Sequence, residues 1–537
     1  MQWKILPKQS EDIIEQLLLN RGVKGSKQIE EFLRPQLKNY EPDLNITGIE
    51  KAKQRILQAI KNQELIFIYG DYDVDGVCGA AVLYLGLTKA GAKVLPYIPH
   101  REKEGYGISE VGLDFAKEKG VKVVISVDCG IVNFDANEWA KDREMDLIIT
   151  DHHQPLGDLL PKCFGLVHST KMCGTAVAWC LIRQLVSQDI SEKLLDYVAI
   201  ATVADMMPML GVNRALVKEG LVKLNALSVS DTERVGLLTL INNSGLKLGH
   251  INGHEIGHVI APQLNALGRV DHAMDAVRLL CTKDISNALK FANLVAEANN
   301  KRRILTSDAV AQAKLKINGS SKKIYVLSSE TWASGIVGLV AGRVCEETGV
   351  PAVAISIGEQ FSRGSARSVD GVNIVELIRK CSDILVAVGG HPGAAGFTIS
   401  TEKISEFEQR LEILMDENVF IKNEEIMLEM DAIVKLNQLS IDLAKRVQKL
   451  DPFGIGNPKP TFATYAAKLT GIRVVGEGGK HLKGKVGEVD FIAFGMGELA
   501  SSIKDGTIVN LAYALEIDRY NGWEKPQLNV KDIELTS

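Results

Sequence analysis

Three apolar runs in the first half of the chain each give way directly to a carboxylate, and this limits what the chain can fold into. They are LIFIYG before Asp71, VKVVISV before Asp128 and DLIIT before Asp151. Unbroken apolar character suits strands of a parallel sheet covered on both faces, and the helical patterns between the runs supply the crossovers. Carboxylates that follow such strands stand at the sheet's carboxyl edge, where open α/β sheets bind ligands. In GDYDVDG, Asp71, Asp73 and Asp75 occupy alternate positions before a glycine. Crowded carboxylates raise one another's pKa unless a cation neutralises them, and a hard divalent ion, Mg or Mn, suits their oxygens. An Asp-rich turn carrying a helix N-cap would give the same local pattern.

The other strand ends add ligand types that a lone turn does not explain. Asp151 is followed by His152 and His153, and Asp205 in ATVADMMP follows an apolar helix-like run. Asp and His side chains with a bridging carboxylate can hold two divalent ions about 3.5–4 Å apart, an arrangement that activates water against a phosphate ester. The expected reaction is phosphoryl hydrolysis, with Asp151 behind the ligands orienting His152 while His153 faces substrate.

At 537 residues the chain exceeds one compact core, and three or four domains are expected. The expected fold is multidomain α/β: a parallel-sheet domain, a long connecting helix, a second α/β domain and a C-terminal OB-like β-barrel. The boundaries read from the pattern are a helical segment over 1–50, the parallel-sheet domain over 51–225 and a helical region over 226–318. The second α/β domain then covers 319–424 and the barrel 425–537. From Lys283 to Ile317 there is neither proline nor glycine, which suits one long helix. The formal net charge of -5 excludes a bulk polycation, so any nucleic-acid contact must come from local basic patches. No apolar run approaches the roughly 20 residues of a membrane span, and the scattered cysteines read as reduced thiols of a cytoplasmic protein.

The strand-end DHH, preceded by DYDVDG and an isolated strand-end aspartate, resembles the DHH phosphoesterase superfamily. That superfamily includes pyrophosphatases, oligoribonucleases, cyclic-dinucleotide phosphodiesterases and the RecJ-type single-strand exonucleases. GGHPGAAGF is similar to the signature of the DHH-associated domain, which in the family holds substrate phosphate. REKEGYGIS, CGTAVAW, APQLNALGR, WASGIVG, GSARS and DPFGIGNPKP resemble RecJ-type segments in the same order, and Tyr69 stands where many other relatives carry histidine. The resemblance implies metal ligands at Asp73, Asp75, Asp128, His152 and Asp205, with Asp128 bridging. Asp71 becomes a ligand or a group behind the ligands. His153 becomes the histidine that contacts phosphate or assists proton transfer, which makes His153 and Asp128 the catalytic pair.

For the substrate, Gly389, Gly390 and Gly393 let backbone N–H groups approach a phosphate, and His391 can add a donor. Arg363 and Arg367 flank Ser365 in SRGSARS and suit phosphate geometry, and Arg269 adds charge. Lys480, His481, Lys483 and Lys485, with Phe491 and Phe494 nearby, are the barrel's candidates for a single strand. NGHEIGHVIAP contains the zinc-protease pattern at His254, Glu255 and His258. Gly253, Gly257 and Pro262 interrupt the helix that pattern needs, and the match reads as coincidence.

The resulting expectation is a two-metal, single-strand-specific DNA exonuclease of 5′→3′ polarity that releases mononucleotides in repair and recombination. Its partners would be single-stranded DNA, single-strand-binding protein and a recombination helicase, with no membrane. An oligoribonuclease or cyclic-dinucleotide phosphodiesterase is the alternative within the superfamily. A catalytically silent single-strand-binding module is the alternative of another class.

Overall fold

In a computed structural model that describes residues 2–317, 322–417, 427–519 and 523–536, the apolar runs lie side by side. After strand β1 (Gln2–Ile5) come β2 (Leu65–Gly70), β3 (Lys93–Tyr97), β4 (Val123–Val127), β5 (Asp146–Asp151) and β6 (Gly165–His168). The last five form a parallel sheet in the order β3-β2-β4-β5-β6. Both faces are covered, which is why the runs show no polar alternation. Ile66 and Ile68 point into one core, with the helices Val74–Lys89 and Gly174–Ile182. Phe67 and Tyr69 point into the other, against Leu113, Ala116, Ala136 and Ala140.

A helix of 33 residues, Ile285–Ile317, leaves this domain and spans about 50 Å. Ala292 and Val295 near its start belong to the first core; Ala309 and Ala313 near its end belong to the second domain. There β7 (Tyr325–Ser329), β8 (Ala352–Ser356), β9 (Phe361–Arg367), β10 (Leu385–His391) and β11 (Ala394–Ser400) form a mixed sheet in the order β10-β11-β9-β8-β7. Only β7 and β8 run parallel.

Two short strands, β12 (Met427–Met430) and β13 (Ala432–Ile433), lead into the third module. It consists of β14 (Phe462–Val475), β15 (His481–Val486), β16 (Val489–Ala493), β17 (Ile508–Asp518) and β18 (Lys525–Leu535), and pairing of β14 with β17 closes it into a barrel. The expected boundaries at 318/319 and 424/425 lie outside the described residues. Among the described residues no helix is long and apolar enough to cross a membrane.

The expected helical segment over 1–50 needs correction, because its first strand and helices are built into the third module. β1 pairs in parallel with β12, and Leu17, Leu18 and Phe32 from the helices Ile13–Asn20 and Gly25–Leu33 are buried in the barrel's core. Arg214, on the helix Gly211–Asn225 of the first domain, fastens that assembly. It is 1% exposed and donates to the carbonyls of Phe32 at 2.7 Å, Leu450 at 2.9 Å, Asp451 at 3.1 Å and Pro452 at 3.1 Å. Its guanidinium lies 4.0 Å over the Phe32 ring, and burial lowers its pKa to about 10.

Arg214→Met should strip donors from these carbonyls and lower stability by roughly 3 kcal/mol or more, while also freeing the barrel for proteolysis. Urea denaturation and limited trypsin digestion measure both effects. An unchanged midpoint with an unchanged digest would show that Arg214 does not hold the modules together.

Candidate active site

Register carries the three strand-end aspartates to one edge. Gly70 of β2 lies beside Val127 of β4, and Val127 lies beside Thr150 of β5. Asp71, Asp128 and Asp151 are the next residue in each case, so they stand in a row. The Asp71 N–H donates to the Val127 carbonyl at 3.3 Å, and the Asp128 N–H to the Thr150 carbonyl at 3.0 Å, extending the ladder one residue beyond the strands.

Two of the acidic residues also begin helices. Asp73 caps Val74–Lys89, one oxygen accepting from the N–H groups of Asp75 at 2.9 Å and Gly76 at 3.1 Å. The turn is therefore an N-cap, which leaves the other Asp73 oxygen for a ligand role. Asp75 accepts from the N–H groups of Gly174 at 2.6 Å and Thr175 at 2.8 Å, at the start of Gly174–Ile182. Glycine is required at 174 because a Cβ there would stand 2.8 Å from the Asp128 Cα. Asp128 itself has φ 63°, a left-handed conformation uncommon for a side-chain-bearing residue outside turns and functional sites. Asp205 arrives as the C-cap of the helix Leu195–Ala204.

The side chains meet in groups whose potential ligand atoms all lie within 4.8 Å of one another: Asp75 with His152 and Asp205; Asp71 with Asp73 and Asp128; Asp128 with His152 and His153. The His152 Nε2 stands 3.1 Å from Asp128 Oδ1 and 3.7 Å from both Asp75 Oδ2 and Asp205 Oδ2. Yet Asp128 Oδ1, like Asp71 Oδ1, is buried without a hydrogen-bond partner. Close approach without hydrogen-bond alignment is what ligand atoms show when they point at a shared centre. Burial raises the pKa of Asp71, Asp73 and Asp128, and the neighbouring carboxylates raise each further. Burial, then Asp75 and Asp73, pushes Asp205 up to about 8. Burial lowers His152, which keeps the neutral ring that a metal needs. The donor set therefore fits one or two hard divalent cations, with Asp128 placed to serve both.

Asp151 does not orient the His152 ring, contrary to the expectation. Its Oδ1 lies 2.8 Å from His153 Nδ1 and accepts the N–H groups of His152 at 2.7 Å and His153 at 3.2 Å, while Oδ2 accepts from the Ile131 N–H at 2.8 Å. The preceding turn brings the second histidine's ring back over the carboxylate and sends the first toward the ligands. Burial alone would lower the His153 pKa, but the Asp151 contact outweighs it and raises the ring to about 9. Tyr106, not foreseen from sequence, has its hydroxyl 3.2 Å from His153 Nδ1 and donates to the Asp128 carbonyl at 3.3 Å.

Beside the carboxylates lies a group of arginines. Burial, then the charges of Arg101, Arg302 and Arg367, lowers Arg269 to about 10. Burial also lowers Arg367, with Arg101 adding to the effect. Among the described residues none of Arg101, Arg269 and Arg367 forms an ion pair within 4.0 Å. Arg101 lies 4.9 Å over the ring of Tyr72, inside the aspartate turn. Arg269 donates to the Gly335 carbonyl of the second domain at 3.1 Å, and a Cβ at Gly335 would stand 2.0 Å from the Arg269 carbonyl. Arg101 was not a sequence candidate, although it opens REKEGYGIS; nothing in its neighbours marks a loop arginine as facing a site.

The second-domain candidates divide by what they touch. Arg367 donates to Ser365 Oγ at 3.1 Å and to the Ala366 carbonyl at 2.8 Å, and Ser365 bonds the Ala395 carbonyl at 3.3 Å. Arg363, expected to bind an anion, donates instead to the carbonyls of Glu102 at 2.8 Å and Arg101 at 3.3 Å. It therefore braces the loop carrying Arg101. His391 lies beside Ala394, and Ala394 beside Arg367, so the glycine hairpin borders the arginines; Cβ positions at Gly389 and Gly393 face open space, while Gly390 has φ 142°.

On the barrel, His481, Lys483 and Lys485 alternate with buried Leu482 and Gly484 along β15, and Lys480 precedes the strand. Phe491 is buried in the core, whereas Phe494 is 55% exposed with its ring 5.1 Å from that of His481. Nothing in this geometry joins the barrel lysines to the carboxylate site.

The raised pKa values set a stability test. Asp205 shifts from 3.8 to about 8, so the fold holds a proton that the unfolded chain releases, and stability falls as pH rises between those values. His153, raised from 6.5 to about 9, binds its proton more tightly in the fold, and that stabilisation is lost as pH rises through the folded value. EDTA-treated protein should therefore lose melting temperature as pH rises from about 6 to about 9, and added Mn should restore it most at the alkaline end. Asp205→Asn should flatten the profile. A melting temperature indifferent to both pH and Mn would contradict the site.

Comparison with known proteins agrees with this architecture. The model of the DHH family, N-terminal domain, matches residues 65–202, that of the DHHA1 domain residues 321–417 and that of the RecJ OB domain residues 430–532. The single-stranded-DNA-specific exonuclease RecJ of Bacillus subtilis is 33% identical over 97% of this chain and 67% of its own length. The RecJ of Thermus thermophilus is 32% identical over 85% of this chain and 67% of its own length. The crystal structure of Thermus thermophilus RecJ in complex with Mn2+ superposes with a TM-score of 0.83 at 27% identity, covering 100% of this chain and 80% of that one. The same enzyme in complex with Mg2+ gives a TM-score of 0.76 at 26% identity, covering 100% and 79%. From the ordered strand-end aspartates to the closed barrel, the chain belongs to the RecJ family of DHH proteins.

Proposed function

We propose that this chain is a metal-dependent, single-strand-specific DNA exonuclease that degrades from the 5′ end and releases 5′-mononucleotides. The observation that carries the reading is the pair of ligand groups meeting at Asp128 beside arginines that lack acidic partners. Asp75, His152 and Asp205 would hold one divalent ion and Asp71 and Asp73 the other, with Asp128 between them. Mn or Mg, the ions in the two Thermus thermophilus RecJ structures, would supply an activated water and charge stabilisation at the scissile phosphate.

The chain's own groups do the rest. Arg101, Arg269 and Arg367 offer guanidinium donors to the phosphates of the bound strand, which holds the scissile ester against the carboxylate edge. His153, kept protonated by Asp151 at Nδ1, donates from Nε2, which lies 3.4 Å from the Tyr106 hydroxyl, to a phosphate oxygen or to the departing sugar oxygen. Tyr106 limits the ring's rotation. The superfamily's activity on very short RNA or cyclic dinucleotides is less well supported, because a barrel module fused to the core gives longer strands a surface that short substrates do not use. We place the enzyme in cytoplasmic DNA repair, alongside single-strand-binding protein and a recombination helicase.

End-labelled single-stranded DNA, duplex DNA and RNA, each blocked at one end, should be digested with Mn, with Mg or with EDTA. Metal-dependent mononucleotide release only from single-stranded DNA with a free 5′ end is the expected result, and preference for di- or trinucleotide RNA would overturn the substrate. Asp128→Asn should reduce turnover to background at every metal concentration, since both ions lose a ligand. Near-normal turnover in that variant would refute the assignment. Arg367→Ala should weaken strand binding and lower the salt slope by about one, whereas Arg363→Ala should act mainly by loosening the Arg101 loop. Equal slopes in wild type and Arg367→Ala would remove Arg367 from the strand's path.

A further inference from the structure

A cavity of about 1060 Å³ separates the segment 252–269 from the barrel. Its lining includes Met206, the residue after Asp205, and Arg269, which brings the cavity toward the carboxylate site. The far wall belongs to the barrel and carries exposed Phe494. Arg269 and Arg302 border the cavity, each with a buried Nε that has no hydrogen-bond partner. The wall also presents His254 and His258, both exposed.

The local fold turns this pair into a two-ring platform. Asn252 caps the segment by accepting from the His254 N–H at 2.7 Å, and Glu255 reaches back to the Asn252 N–H at 2.9 Å. The carboxylate that a zinc protease would use as its base is therefore committed to the cap. The next turn, Ile256–Ile260, is a wide π turn, a form often found at functional sites. The His254 and His258 rings stack with centroids 4.1 Å apart at 26°, and His258 Nδ1 lies 3.1 Å from the His254 carbonyl. Among the described residues no third His, Cys, Asp or Glu completes a metal group with them.

We infer that the stacked His254–His258 pair is a stacking step for the bases of the substrate strand, placed between the carboxylate site and the barrel. The inference rests on the nuclease reading and names residues of its strand path. Imidazole, like other aromatic rings, stacks on bases irrespective of sequence. Arg269, which keeps one nitrogen on the Gly335 carbonyl, and Arg302, each with an Nε that lacks a partner, place positive charge suited to the backbone phosphates of the same strand. Phe494 gives the opposite wall a second aromatic surface.

The test compares a 5′-phosphorylated thymidine dinucleotide with a 20-nucleotide thymidine strand in three proteins: wild type, His254→Ala/His258→Ala and His254→Phe/His258→Phe. The alanine pair should raise KM for the long strand about tenfold or more while leaving dinucleotide hydrolysis unchanged, which also certifies the fold. The phenylalanine pair should restore the wild-type KM, and 2-aminopurine placed along the strand should be quenched on binding by wild type and the phenylalanine pair only. Unchanged KM in the alanine pair would take the histidines off the path. Phenylalanine as poor as alanine would replace stacking with a charge or metal role. If wild type hydrolyses neither substrate, the nuclease reading falls, and 2-aminopurine quenching on binding alone decides whether the pair stacks bases.

Discussion

Mutual repulsion among buried carboxylates at the ends of adjacent parallel strands is the constraint on which the rest of the structure depends. Asp71, Asp128 and Asp151 cannot be spread apart, because strand register fixes them one ladder step from one another. The fold meets the repulsion with backbone donors. Asp73 and Asp75 each sit at a helix start, where unpaired N–H groups and the helix dipole favour negative charge. Asp151 is offset by three backbone N–H groups and the His153 ring. Oxygens on Asp71 and Asp128 remain unpartnered, and they define the place left for a cation.

A second charge problem of opposite sign lies next to the first. Arg101, Arg269 and Arg367 come from three separate parts of the chain and repel one another, and among the described residues none of them forms an ion pair within 4.0 Å. They are held by carbonyls and glycine contacts: Arg269 with Gly335, Arg367 with Ala366, and the Arg101 loop with Arg363. A phosphate strand laid across the arginines would relieve their repulsion, while divalent cations among the aspartates would relieve theirs and draw the same phosphates toward that edge. Strand binding and metal binding are thus electrostatically coupled, with each favouring the other.

What sequence reveals here follows from how local the cause is. The aspartates were legible because each follows its apolar run directly, and a parallel sheet must put such residues on one edge. The long helix was legible because neither glycine nor proline interrupts it. The Asp151 partner was not, since which of two adjacent histidines turns back depends on the turn's dihedral angles. The spacing of Arg363 and Arg367 shows that they share a strand face but not that Arg363 would meet carbonyls of another domain. Pairing of β1 with β12 joins residues too distant for any periodic signal. The His254 pattern shows glycines and a proline interrupting a zinc-type helix, but only the wide turn shows that its rings stack.

The inclusion of Leu17, Leu18 and Phe32 in the barrel's core has a consequence for biosynthesis. The ribosome makes these residues long before the strands that cover them, whereas the parallel sheet can close as soon as β6 emerges. Until the barrel is made, Leu17 and Leu18 of the amino-terminal helices have no core to enter, although Phe32 can already meet Arg214 of the first domain. The catalytic edge is assembled before the surface opposite His254 and His258 exists. A nascent chain passes through a stage with its metal ligands in place and no barrel wall over the groove, and the enclosed path comes into being only when the two distant parts of the sequence meet.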